Sequence, residues 1–175
     1  MIDVEKCKMT RWPSPVLLEK SKPIDKIDDS IRALAEKMKD IMVEFKGVGL
    51  AGPQAGVGLR IFVASEDGTK ENAKVYINPE IVLSGSIVTN EEGCLSLPNI
   101  YGNIHRSSKC SIKALDLEGK EISENAEGLR ARIFQHECDH LDGTLIADKF
   151  STVAKIGARR KLKQLRENYE QHKDA

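Results

Sequence analysis

The chain has 175 residues, enough for one domain with a sizeable core, and its 27 lysines and arginines balance 27 aspartates and glutamates. That balance argues against general binding of polyanions and leaves only a local basic surface. No apolar run approaches the roughly 18 residues of a membrane span, and Met1-Ile2-Asp3-Val4-Glu5-Lys6 lacks a signal-peptide core. Cys7, Cys94, Cys110 and Cys138 form no Cys-x-x-Cys pair, so reduced thiols and a cytoplasmic home are expected. No repeat, low-complexity tract or linker divides the chain, and residues 1–175 read as a single domain.

Ile27, Ile31, Leu34, Met38, Ile41 and Phe45 alternate steps of four and three, which predicts an amphipathic helix. Its N-cap falls at Asp28 or Asp29 and its stop at Gly47. Gly47-Val48-Gly49-Leu50-Ala51-Gly52-Pro53-Gln54 does not match a phosphate-cradling loop, because no Gly-Lys-Ser/Thr follows. It reads either as a helix C-cap with a flexible turn, or as an exposed backbone edge that pairs with an extended peptide.

From Arg60 to about Leu117 the texture is that of strands: Arg60–Ala64, Lys74–Asn78, Ile81–Leu83 and Ile87–Val88, with turns at Asp67-Gly68 and Asn78-Pro79. Cys110, Ile112 and Ala114 alternate with polar residues. The phase then slips to Leu115 and Leu117, where a bulge is allowed but not required. Within this region lies Glu91-Glu92-Gly93-Cys94-Leu95-Ser96-Leu97-Pro98. A lone strand cysteine is ordinarily a small buried hydrophobe. Gly93 permits close backbone approach, and the Leu95 amide can point at a bound oxygen.

A helix is expected from about Asn125 to Leu141, with Leu129, Ile133, His136 and His140 on one stripe. Two histidines four apart stand one above the other, and Glu137 can reach a water held between them. This outlines a water-activating metal site that needs a third protein ligand. The extended His-Glu-x-x-His-x-x-Gly-x-x-His pattern of metalloendopeptidases fails here, since Gly143 is present but Ile146 stands where the last histidine would fall. Downstream the chain reads Lys155, Arg159, Arg160, Lys161, with no ligand in view, so the third ligand comes from upstream and Cys94 is the candidate. Cys138 lies roughly 200° around the helix from His136 and does not compete. A last helix, about Ser151 to Gln171, carries Ile156, Leu162 and Leu165 on a narrow apolar face. The order of elements is α+β: antiparallel or mixed sheets around a central metal-binding helix, with a C-terminal helix.

Taken together, Gly-Val-Gly-Leu-Ala-Gly-Pro-Gln, Glu-Gly-Cys-Leu-Ser and Gln-His-Glu-x-Asp-His resemble the three signatures of the peptide deformylases, in the family's order. The resemblance begins near Pro15-Val16-Leu17 and continues past Gly143. Gly52 stands where the family usually has alanine, which adds backbone freedom beside Gln54. The resemblance implies removal of the formyl group from the N-terminal formylmethionine of new bacterial and organellar proteins, with release of formate. It implies Cys94, His136 and His140 as ligands of one ion, typically Fe²⁺, with zinc, nickel or cobalt sometimes in its place. Glu137 then acts as acid and base, and Gln54 and the Leu95 amide steady the oxyanion. Substrate is expected as an added strand along Val48-Gly49, with Gly93 opposite and the methionine side chain against Val48, Leu129 and Ile133. The alternatives are a metalloendopeptidase and a peptide- or metal-binding relative without turnover; Glu137 and Gln54 together speak against the second. Lys155, Arg159, Arg160, Lys161, Lys163 and Arg166 form either a solvated helix face or, as the resemblance suggests, a ribosome contact. The compartment is bacterial-type cytoplasm or, for a mature form without its transit peptide, an organelle.

Overall fold

A computed structural model describes residues 2–172. The first long element is helix α1, Asp29–Glu44, capped by Asp28, whose carboxylate accepts the backbone N–H groups of Ser30 and Ile31. Ile31, Leu34, Ala35, Met38, Ile41 and Met42 form its buried face. The helix stops one residue earlier than glycine placement suggested. Lys46, not Gly47, takes the left-handed conformation (φ 56°). Its N–H bonds to Val43 O, and the Gly47 N–H to Met42 O, so the two bonds close the last turn. Gly47 is small for another reason: a Cβ there would lie 2.8 Å from Leu95 Cδ1.

Five strands follow, β1 (Gly49–Ala51), β2 (Ile61–Ala64), β3 (Lys74–Cys94), β4 (Leu97–Leu115) and β5 (Glu121–Glu127). They pair in chain order, and every pairing is antiparallel. The expected sheets are thus one continuous sheet, and the only parallel contact among the described residues outside it is the bridge Lys22–Leu59. β3 runs straight through Asn78-Pro79, which sequence reading took for a turn. Asn78 (φ 50°) sits at a register shift between Ile77 and Glu80, and its side-chain amide is held by both backbone groups of Ile24. A bulge tolerates proline because the missing N–H is not needed there. No bulge occurs at Leu115–Leu117. β4 ends at Leu115, and the Asp116 side chain closes the turn by accepting the N–H groups of Glu118 and Lys120.

β5 was not anticipated. Helix α2 begins at Gly128 rather than near Asn125 and ends at Leu141, because residues 121–127 pair with β4. Ile122 and Ala126 point toward the core from a strand otherwise made of glutamate, serine and asparagine, so its period of two is faint.

β2 shows how the sheet is held. Ile61 and Val63 face α1 together with Leu50 and Ile77, whereas Phe62 and Ala64 face α2. On the α2 side Phe62 stacks on Tyr76 (centroids 4.7 Å) and Phe134 packs edge-on against Tyr76 (5.0 Å). A third cluster forms beneath α3 (Thr152–His172), where Leu97, Ile100, Ile104, Phe150 and Ala158 are buried and Leu162 and Leu165 lean in. Ile156, assigned to that apolar face from sequence, is 62% exposed. The inward stripe runs instead through buried Ala158 and the partly buried Ala154, Leu162 and Leu165, whose small members let the helix approach the body closely.

Candidate metal centre

α2 lies against the sheet with its histidine stripe turned toward the end of β3. The β3–β4 hairpin closes in only two residues, Leu95 and Ser96, and Cys94 is the last residue of β3 before that turn. Cys94 Sγ lies 3.3 Å from His140 Nε2, which is 3.2 Å from His136 Nε2. All three donor atoms fall within 4.8 Å of one another. Metal–sulfur and metal–nitrogen bonds of about 2.0–2.3 Å from one shared point give such spacings. Three such donor atoms converging on one point fit a divalent cation of borderline softness. Burial alone would push the Cys94 thiol up; His140 and His136 more than reverse this and hold it well below its ordinary value, toward the thiolate a ligand must be. Cys138 lies apart from these donors, buried in the apolar cluster behind α2, and burial pushes its thiol up to about 12.

Glu137 is 4% exposed and its Oε2 has no hydrogen-bond partner among the described residues. Burial raises its pKa, against the pull of His136 and His140. Gly49 makes room for it, since a Cβ there would stand 2.4 Å from Glu137 Oε1. Gln54 is anchored through its Oε1, which accepts the Ala51 N–H at 2.9 Å, and its Nε2 faces Cys94 Sγ (3.6 Å) and Ser96 Oγ (3.4 Å). Gly52 does not loosen this turn, contrary to the expectation from sequence. A Cβ at Gly52 would meet the backbone oxygens of Leu59 at 2.6 Å and Val57 at 2.9 Å, so the glycine permits a tight crossing.

A cleft of about 450 Å³ opens onto this cluster and is lined by every expected site residue except His140: Val48, Gly49, Gln54, Gly93, Cys94, Leu95, Leu129, Ile133, His136 and Glu137. Gly93 is roofed by the Tyr101 ring, which a Cβ would meet at 2.6 Å. Its smallness therefore serves that ring contact as well as the cleft.

Sequence reasoning missed the support around His136. Glu92, quoted in its motif without a role, accepts from Arg106 Nε (3.0 Å), Arg106 Nη2 (2.9 Å) and Arg132 Nη1 (2.6 Å), and its Oε2 meets His136 Nδ1 at 3.1 Å. Arg106 also pairs with Asp139. Burial opposes the Glu92 charge, but His136 and Arg106 hold the carboxyl well below the usual carboxylate range. The carboxylate fixes the His136 ring with Nε2 toward Cys94, the arrangement that raises a ligand's basicity. Gln135 secures the helix itself, exchanging two hydrogen bonds with the backbone of Ser107 on β4 (3.0 and 2.9 Å). The motif spelling Gln-His-Glu-x-Asp-His was the available signal for Gln135 and Asp139.

The family model described as polypeptide deformylase matches residues 6–155. The peptide deformylase of Alkalilimnicola ehrlichii is 42% identical over 156 residues, 88% of this chain and 87% of that protein. The chloroplastic peptide deformylase 1B of Oryza sativa subsp. japonica is 38% identical over 94% of this chain, which spans only 62% of that longer protein. Among solved structures, the peptide deformylase of Plasmodium falciparum superposes with a TM-score of 0.90 at 39% identity, covering 94% of this chain and 98% of its own. A plant peptide deformylase gives 0.91 at 35% identity, over 97% and 94%. Fold, donor set and these matches agree that the chain belongs to the peptide deformylase family.

Proposed function

We propose that Cys94, His136 and His140 hold one divalent cation, and that Glu137, Gln54 and Leu95 carry out the deformylation of new proteins that defines the family. The reading rests above all on the unpartnered Oε2 of Glu137, a buried carboxylate oxygen placed beside the donor cluster. When bound, the cation supplies a Lewis acid that makes water a stronger acid and polarises a carbonyl. Glu137, its pKa raised by burial, takes a proton from the attacking water and passes it to the departing amine. Gln54 Nε2 and the Leu95 N–H donate to the oxyanion that develops on the formyl oxygen as the formyl carbon is attacked. Formate and a free N-terminal methionine result.

The edge of β1 is paired only with β2, which leaves its other side open to an extended peptide along Val48-Gly49. Gly93 faces it across the cleft, and Val48, Leu129 and Ile133 receive the methionine side chain. Fe²⁺ is the proposed ion, with Zn²⁺, Ni²⁺ or Co²⁺ as substitutes, because a Cys-His₂ set does not select iron by affinity. An upstream ligand, Cys94, in place of a downstream one disfavours a metalloendopeptidase. The chain is read as one catalytic domain acting in bacterial-type cytoplasm or an organelle; no helix of the described residues is long and apolar enough to cross a membrane.

The test is Glu137→Ala. It should keep a full equivalent of metal and lose turnover by about 10²–10⁴-fold; metal loss with activity restored on reconstitution would overturn the roles. A ribosome contact is proposed for α3, whose inward stripe leaves Lys155, Arg159, Arg160 and Lys163 outward, while Lys161 Nζ reaches Asn99 O (2.6 Å) and Arg166 lies over Trp12. Charge reversal at Arg159, Arg160 and Lys163 should weaken co-sedimentation with ribosomes at low salt; unchanged co-sedimentation would leave α3 a structural role only.

A further inference from the structure

The two proposed oxyanion donors sit on separate pieces of chain, and one segment ties both down. Thr10 N–H bonds to Gln54 O (2.8 Å) and Trp12 N–H to Ser96 O (3.0 Å). Between them, the Arg11 guanidinium donates through Nη1 to Leu95 O. Arg11 is half-buried at the wall of the cleft, with its guanidinium 5.4 Å from the centre of the Phe45 ring, so the guanidinium is held by that ring as well as by Leu95 O.

The turn that Arg11 grips needs such a restraint. Two-residue hairpins favour primed turns, which require a positive φ at one or both central residues. Neither Leu95 nor Ser96 has one. The Cys94-Leu95-Ser96-Leu97 turn is therefore not a primed one, and the register slips beside it: Cys94 pairs with Leu97 but Gly93 with Tyr101. Its central peptide carries Leu95 O, the atom that Arg11 binds. Nothing among the described residues bonds to the Leu95 N–H, which stays free to donate to a ligand.

We propose that Arg11 is a positioning residue for deformylation: its bond to Leu95 O sets the Cys94–Leu97 turn so that the Leu95 N–H meets the developing oxyanion. It touches neither the reacting atoms nor the metal ligands through a hydrogen bond. Its effect is felt in the transition state, because the amide it aligns bears most load when the carbonyl oxygen becomes charged. The inference rests on the deformylase reading given above.

The measurement is steady-state kinetics of formate release on metal-loaded Arg11→Met, which keeps the aliphatic stem, beside Arg11→Lys and the parent. Arg11→Met should lose about tenfold to a hundredfold in kcat, the scale of a misplaced rather than a deleted donor, with KM within about twofold and metal content unchanged. The lysine nitrogen ends about one bond short of Nη1, so Arg11→Lys should also lose kcat, by a smaller factor; it decides the matter if the Met variant does not fold. Unchanged kcat in either folded variant overturns the proposal, as does a loss confined to KM or one that follows loss of metal. A parent protein that releases no formate sinks the deformylase reading itself, whereas an active parent with indifferent Arg11 variants sinks only the role of Arg11.

Discussion

Replacing Glu92 by glutamine tests the least visible part of the centre. Glu92 is 8% exposed and Arg106 4%, so the pair is effectively out of water. The carboxylate receives two bonds from Arg106 and one from Arg132, and it orients His136. Glutamine keeps the shape, but its NH₂ group must face a guanidinium or ring N–H that it cannot accept from. Arg106 then keeps one bond to the amide oxygen, and Asp139 is left as its one carboxylate partner among the described residues. Removing one partner of a buried ion pair costs about 3–5 kcal/mol. At about 2–4 °C per kcal/mol for a chain of this size, the melting temperature should fall by about 6–20 °C. Metal affinity should also fall by about 10–100-fold, as His136 loses the group that orients it. Urea and thermal unfolding of metal-stripped protein isolate the first effect, since bound metal adds its own stabilisation; competitive chelation measures the second. A stability change under about 0.5 kcal/mol in the stripped protein, the size of an ordinary surface substitution, would refute the reasoning.

Enlarging Ile133 to tryptophan should raise KM for formyl-Met peptides while metal content stays near one equivalent, and unchanged kinetics would remove Ile133 from the methionine pocket. Glu124 offers a pH test away from the centre. Burial would raise its carboxyl, but Arg130 and Lys74 outweigh this and hold it below its ordinary 4.5. Its contribution to stability is thus present above that ordinary value and is lost as pH falls through the lower folded one. Acid unfolding curves of the parent and Glu124→Gln should diverge above about pH 4.5 and converge below it; parallel curves would count against the pairing.

What could be read in advance was local. His136 and His140 are four apart on one helix, and the helical period turned them and Ile133 to one face, from which Ile133 and His136 line the cleft. Cys94 emerged because no downstream ligand existed. The α1 face was legible for the same reason, through its regular apolar steps. What stayed hidden depends on partners far along the chain. Glu92 meets Arg106 on β4 and Arg132 and His136 on α2, and nothing in Glu91-Glu92 tells which carboxylate is buried. β5 escaped because Glu121–Glu127 has only Ile122 and Ala126 to mark its inner face, and Asn78-Pro79 misled because a register shift absorbed it. Arg11 carries no motif, and its relation to Leu95 exists only once the hairpin turn is folded against it.

The central claim, that this chain is a metal-dependent deformylase working through Cys94, His136, His140 and Glu137, is tested most directly by formate release. The purified protein is loaded anaerobically with Fe²⁺ and given a formyl-Met peptide beside an internally blocked peptide that offers only ordinary amide bonds. Formate should appear in step with new free amine, the second peptide should stay intact, and both signals should vanish when a chelator strips the metal. Metal bound at one equivalent without formate release, or cleavage of the internal bonds, would contradict the claim.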